Sequence, residues 1–231
     1  GQNLQSLTDE EWQKCSTAPT PNKSLRKTWA LAEAIREVDP DIIMLNEVGG
    51  EESLRNFNQH FLGNSYRPLI IEGNSDRGID LAYLVRDDQQ IQYLVLSHKN
   101  RPINFLYPHE KEQGVRTSRY FSRDVLELRV FRKGEFTPRL ICLLVHLKSK
   151  LDPDGWDPQG RGRREAELKT LIRIYNEIQT EMHSQVPILI GGDFNGIAHQ
   201  QSCEQEFASL YSDSNLRELF DCFDSPVSEI E

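Results

Sequence analysis

Short apolar runs, each long enough for one strand and too short for a buried helix, recur along this chain and constrain its fold most. They are Asp41 to Asn46, Ile79 to Val85, Ile91 to Leu96, Val125 to Phe131, Leu140 to Leu147 and Pro187 to Ile190. Pro40, Gly49-Gly50 and Gly191-Gly192 punctuate them, as expected at strand ends. In Val125-Leu126-Glu127-Leu128-Arg129-Val130 the charges fall at period two, which predicts one exposed face. Between the runs lie amphipathic stretches. Ser24 is placed to cap a helix reaching Val38, with Leu25, Leu31, Ala32, Ile35 and Val38 on one side and Asp39-Pro40 ending it. Leu54, Phe57 and Phe61 mark a shorter helix. From Arg164 to Met182, Leu168, Leu171, Ile172, Tyr175, Ile178 and Met182 form a single stripe. Strands interleaved with helices predict an α/β fold with a mixed sheet system and helices outside.

At 231 residues the chain can bury one sizeable core. No apolar run approaches the length of a bilayer span. The net charge of −9 is opposite to that of a protein relying on strong non-specific DNA binding, although a local basic strip or a divalent cation can offset it. Cys15, Cys142, Cys203 and Cys222 show no zinc-type spacing. Cys142, inside an apolar run, reads as a buried free thiol, and a Cys203–Cys222 pairing stays open. Lys14 to Lys23 and Leu151 to Arg163 read as loops, each following a strand end, where layered α/β folds bind ligands.

Three of the strand ends carry chemistry. The run ending Gly191-Gly192-Asp193-Phe194-Asn195 delivers a carboxylate and a carboxamide to the same side of the chain. A carboxylate can deprotonate a water, and an amide can donate to a phosphoryl oxygen. Glu47 follows another apolar run and precedes a glycine pair; a carboxylate so placed suits magnesium, which takes few protein ligands. His146 ends the most apolar run, with Lys148 and Lys150 close behind. Turn chemistry alone does not call for Glu, His and Asp/Asn at three separate strand ends, whereas metal-assisted phosphoester hydrolysis uses all of them. His60, His98, His109, His183 and His199 lie in polar or helical contexts and receive no role.

Asn3-Leu4-Gln5-Ser6-Leu7, Asn46-Glu47-Val48, Asp76-Arg77-Gly78-Ile79-Asp80, Ser122-Arg123-Asp124, His146-Leu147-Lys148-Ser149 and Gly192-Asp193-Phe194-Asn195 occur in this order. As an ordered set they resemble the endonuclease/exonuclease/phosphatase superfamily, which includes deoxyribonuclease I, apurinic endonucleases, sphingomyelinases and inositol polyphosphate 5-phosphatases. The resemblance implies a four-layer α/β/β/α sandwich, deoxyribonuclease I-like, formed as a single domain over residues 1–231 that lacks its C-terminal strand. It implies Glu47 and Asn3 as metal ligands, with magnesium (Mg2+) as the ion and manganese or calcium as alternatives. Asp193 would activate the attacking water and Asn195 would stabilise the transition state. His146 would contact the phosphate or protonate the leaving group, with Asp80 orienting it. Arg123, Arg77 and Lys148 would meet the substrate phosphate.

The expected function is therefore metal-dependent hydrolysis of phosphodiester bonds by a monomeric nuclease, with DNA or RNA as substrate rather than a phospholipid. The basic and aromatic stretch Arg116 to Arg123 tilts the choice toward nucleic acid. One alternative is a phosphatase or sphingomyelinase-like phosphodiesterase acting on a phospholipid or inositol phosphate, which calls for a tighter pocket. Another, of a different class, is a catalytically inactive binding module on the same fold.

Overall fold

A computed structural model describes residues 7–15, 23–115 and 119–219. Its packing divides the chain into two compact units. Among the described residues, the first comprises those within 1–99, 123–146 and 187–192, and the second those within 100–122, 147–186 and 193–219.

Two sheets build the first unit. Strand β1 (Ile42–Val48) pairs antiparallel with β3 (Asp80–Arg86), which pairs on its other edge with β2 (Tyr66–Ile71). The second sheet has the order β4 (Ile91–Ser97), β7 (Val125–Arg132), β8 (Leu140–His146), β9 (Ile188–Asp193). The intervening labels β5 (Pro102–Ile103) and β6 (Arg119–Tyr120) belong to a short ribbon in the second unit. β4, β7 and β8 run antiparallel. Ile141 N donates to Pro187 O and Leu147 N to Asp193 O, at 3.0 and 2.9 Å, so residue numbers rise together along β8 and β9. That pair is parallel, which its long crossover through α5 (Arg161–Glu181) allows.

The sheets meet through Leu81, Tyr83 and Val85 of β3, Leu126 and Leu128 of β7, and Cys142 and Leu144 of β8, all essentially buried. Covering that face with a second sheet explains why β3 and β8 read as unbroken apolar runs. The Tyr83 hydroxyl lies 2.9 Å from Leu126 O and 3.0 Å from Cys142 O, tying one sheet to the other through its shared proton. Cys142 is a free thiol as the sequence predicts, and burial pushes its pKa up to about 11.

On the far side of the first sheet lie α2 (Leu25–Val38) and α3 (Glu51–Phe61), whose Leu25, Ala32, Ile35, Leu54 and Phe61 pack with Ala82 and Leu84. Helix, sheet and sheet thus form successive layers of this unit. Ser24 caps α2 through Lys27 N, and Asp39 ends it in a left-handed conformation. Leu31 and Val38 depart from the predicted apolar side: they are 43% and 74% exposed, because the buried stripe is narrower than the sequence pattern. A first helix, α1 (Asp9–Lys14), was not anticipated; Thr8 and Glu11 form its capping box. The loop expected at Lys14 to Lys23 therefore follows a helix and not a strand, and residues 16–22 lie outside the described residues.

Glu127 is buried, contrary to its place in the sequence pattern. The period-two pattern predicts it on an exposed face, yet only 1% of it is accessible. β7 lies between β4 and β8, and the carboxylate is satisfied by His98 Nε2 at 2.7 Å and by Arg129. Burial raises its pKa, but these two partners outweigh burial and hold it below the usual carboxylate value.

In the second unit, α5 (Arg161–Glu181) buries Leu168, Leu171, Ile172, Tyr175 and Ile178, as the stripe predicts. The helix begins earlier than the sequence pattern, after a 3₁₀ turn at Pro158–Gly160. It packs against a second 3₁₀ turn, Gln205–Phe207, and α6 (Ala208–Ser212). The remaining short helix, α4 (Pro108–Glu112), sits between β5 and β6 in sequence. Among the described residues no helix is long and apolar enough to cross a membrane.

Candidate active site

In the first unit, β1 ends irregularly. Its register with β3 shifts between Leu45 and Val48, placing Asn46 and Glu47 on a bulge. Glu47 has φ +59°, a left-handed conformation that costs a non-glycine residue about 1–2 kcal/mol. Its carboxylate is exposed. Asn46 anchors the bulge, donating from Nδ2 to Val145 O at 2.9 Å. The same Val145 backbone receives β9. A Cβ on Gly192 would lie 2.1 Å from Val145 O and 2.9 Å from Val145 N, and Gly192 has φ +132°. The ends of β1, β8 and β9 thus meet at Val145, and His146, 3% exposed, is the next residue.

Asp80 and Arg123 come together around the Gly73-Asn74 turn of this unit. Asp80 Oδ1 accepts Gly73 N–H at 2.8 Å, and Asn74 N donates to Arg123 O at 3.1 Å. Both Asp80 and Arg123 are at least nine-tenths buried. Asn74 also donates from Nδ2 to Lys99 O, so this short turn ties together three segments. Sequence reasoning passed over it, although Gly73-Asn74-Ser75 is an evident turn. Arg77 stands apart on the exposed β2–β3 connection.

Asp124, beside Arg123, is buried; its carboxylate accepts Ser97 Oγ–H at 2.6 Å and His98 N–H at 3.0 Å. Burial pushes its pKa up to about 6 despite those bonds. The folded chain therefore holds this proton more tightly than the unfolded chain, whose value is 3.8. Its stabilising effect is complete below pH 3.8 and lost as pH rises through about 6. Asp124→Asn should remove that loss. Its urea midpoint relative to wild type should rise between about pH 4 and pH 7, by up to about 3 kcal/mol in stability. A pH-independent difference would contradict this.

In the second unit, Asp193 and Asn195 are set by mutual and backbone bonds. Asp193 Oδ1 accepts Asn195 N–H at 2.8 Å, and Asn195 Nδ2 donates to Leu147 O at 2.9 Å. Asn195 has φ +54°, a conformation asparagine tolerates better than most residues. An amide nitrogen carries two N–H groups, so a second donor remains beyond the Leu147 bond. Asp193 is exposed and Asn195 half-buried. Lys148 donates from Nζ to Ser149 O and Leu151 O, at 3.1 and 2.5 Å, so its ammonium shapes the following loop.

Glu167 on α5 was invisible to sequence reasoning, because it reads as one more helical charge. It is fully buried, with Oε1 accepting Ser122 N–H and Oε2 accepting Lys148 N–H, each at 2.7 Å. Burial raises its pKa, opposed by Arg163 and by these bonds. Arg164 Nη1 donates to Lys148 O at 3.0 Å, so α5 grips both sides of that residue's backbone. In Glu167→Gln an amide NH2 would face one of the two N–H donors. A loss of roughly 1–3 kcal/mol should follow, with faster hydrogen exchange at Ser122 or Lys148. Unchanged exchange at both amides would rule out the clamp.

Asn3 lies outside the described residues, as do Arg116 to Ser118 of the basic-aromatic stretch and Cys222. Among the described residues, no three His, Cys, Asp or Glu side chains gather as a metal site.

The model of the Endonuclease/Exonuclease/phosphatase family matches residues 2–204. The chain belongs to this family. Its members are named for cleavage of phosphoester bonds, in nucleic acids or in phosphorylated compounds. Among solved structures, this family member is similar to the human Nocturnin catalytic domain with bound sulfate anion. The two share 18% identity over 81% of this chain and 61% of that one, with a TM-score of 0.55. A functionally unknown conserved protein from Enterococcus faecalis V583 is 18% identical over 80% of this chain and 63% of its own, with a TM-score of 0.50. Truncated Caenorhabditis elegans TDP2 is 20% identical over 74% and 55%, with a TM-score of 0.47. At these identities the likeness is one of fold, and the fold is the α/β, deoxyribonuclease I-like one that the motifs imply. The chain spans between 42% and 61% of the length of the first solved structures it matches. No curated protein matches it.

Proposed function

We propose that this family member is a metal-dependent nuclease that hydrolyses phosphodiester bonds of nucleic acid by attack of water. The observation that carries this reading is Glu47: an exposed carboxylate in a left-handed bulge whose neighbour, Asn46, is fixed to the residue before His146. A chain tolerates such a conformation where function calls for it. Magnesium binds through one or two carboxylates and otherwise keeps its waters, so a single exposed carboxylate fits the ion. Glu47, with Asn3, would hold it. The chemistry the ion supplies when bound is charge neutralisation at the phosphoryl oxygens.

The remaining roles fall to the protein's own groups. Asp193 accepts the proton of the attacking water, its rotamer fixed by Asn195 N–H. Asn195 donates its second amide N–H to the phosphoryl oxygen as charge accumulates there. His146 gives a proton to the leaving oxygen, and Asp80 orients it. Arg123 binds a phosphate oxygen, with Arg77 and Lys148 adding positive potential.

The test is hydrolysis of a plasmid and of a single-stranded oligonucleotide with magnesium or manganese, each with and without chelator. Chelator-sensitive cleavage is expected. Cleavage that persists in chelator defeats the metal assignment, and the absence of cleavage under every condition defeats the nuclease assignment.

A further inference from the structure

A cluster of aromatic rings in the second unit is used by none of the roles above. Phe105, Tyr107 and His109 come from the β5–α4 segment, and Trp156 from the loop after β8. The Tyr107 and His109 rings stack with centroids 5.8 Å apart and an interplanar angle of 8°. Trp156 lies 4.3 Å from the His109 centroid and 5.6 Å from Tyr107. Arg119 caps the group, its guanidinium carbon 4.6 Å from the Tyr107 centroid, and is held by Glu110. Trp156 nevertheless remains 49% exposed.

That exposure is built in. Asp152 accepts Trp156 N–H and Asp157 N–H at 3.2 and 3.0 Å, and Asp157 accepts Gly162 N–H and Arg163 N–H at 2.8 and 2.9 Å. Two carboxylates therefore satisfy four backbone donors and fix the loop carrying the indole. A rigid aromatic surface stacks a planar ligand at little entropic cost. The same loop begins at Lys148, next to Leu147, whose carbonyl holds the Asn195 amide.

We propose that Trp156, braced by Tyr107 and His109, whose rings meet the indole at 67° and 59°, is a stacking platform for an unpaired base of a single-stranded nucleic acid. The proposal rests on the nuclease reading above and narrows its substrate. Single-stranded nucleic acid is gripped by base–aromatic stacking, and Arg over an aromatic face extends such a surface. Charge favours a base over a lipid surface. Asp152, Asp154 and Asp157 flank Trp156 in sequence and would repel the dense charge of an anionic membrane laid over the indole, whereas a strand can lay one neutral base there with its phosphates turned away from the carboxylates.

Binding is measured in chelator, so that no turnover is needed, with an oligothymidylate of about twelve nucleotides and an abasic strand of equal length. Indole fluorescence should be quenched by the oligothymidylate and not by the abasic strand. Trp156→Ala should weaken oligothymidylate binding about tenfold, leave abasic binding unchanged and abolish the quench, while Trp156→Phe restores most of the affinity. Trp12 and Trp29, which pack on Phe61, report that the variant is folded. Equal weakening toward both strands, or quenching by anionic phospholipid vesicles without quenching by the oligonucleotide, overturns the proposal. Base-dependent quenching in a protein that cleaves nothing keeps the platform and removes the nuclease reading. Cleavage without base dependence does the reverse.

Discussion

Glu47→Gly is expected to make the protein less active and no less stable. The two effects have separate origins. Glu47 occupies a left-handed conformation that glycine adopts without strain, so the substitution removes a local cost of about 1–2 kcal/mol. Glycine also widens the unfolded ensemble, which returns roughly 0.4–1 kcal/mol of that gain. The net effect is a stability gain of up to about 1.6 kcal/mol. Hydrolysis should fall by roughly a thousandfold, because the carboxylate assigned to the ion is gone. An inert rim residue would give the first result without the second. Thermal unfolding together with a chelator-controlled cleavage assay reads both, and retained cleavage would sink the assignment of Glu47.

Gly192→Ala is expected to have the largest effect on stability. Its Cβ would sit 2.1 Å from a backbone oxygen, and Val145 cannot move without pulling β8 from β9. The backbone at φ +132° is itself nearly closed to any other residue. A loss above about 4 kcal/mol is expected, because overpacking and backbone strain fall on the same residue. Gly191→Ala is the internal control. There the new methyl meets Met44 Sδ at 3.3 Å, the end of a flexible side chain that can turn aside. The first variant should lose its cooperative unfolding transition or its solubility, and the second should keep both. Comparable midpoints for the two would show that β8 and β9 are not locked at Val145.

The sequence disclosed the parts of this fold that depend on local periodicity. Buried strands such as β3 and β8 appear as unbroken apolar runs, and α5 as a stripe. β2 is not legible in the sequence because Tyr66-Arg67-Pro68 interrupts its apolar character, and only pairing along β3 makes it a strand. Glu127 was misplaced for a related reason: whether a face of a strand is open depends on distant segments that cover it. Glu47, His146 and Asp193 were legible as candidates because each follows an apolar run. The bulge at Glu47, the Gly73-Asn74 turn and the Glu167 clamp were not, since each is defined by hydrogen bonds between segments far apart in sequence. His109, set aside on its polar context, belongs to a ring cluster for the same reason.

The Asn46–Val145 bond has a consequence for how the chain folds. It joins residues 99 positions apart, and β9 must also be in place before the junction at Val145 is complete. Closing so long a loop is entropically late work, whereas α5 and the β7–β8 hairpin involve near neighbours in sequence. The anchor of the Glu47 bulge is therefore expected to form late in folding. Chain segments made early in synthesis can form helices and hairpins, but the bulge at position 47 gains its anchor at Val145 only after β8 has been made.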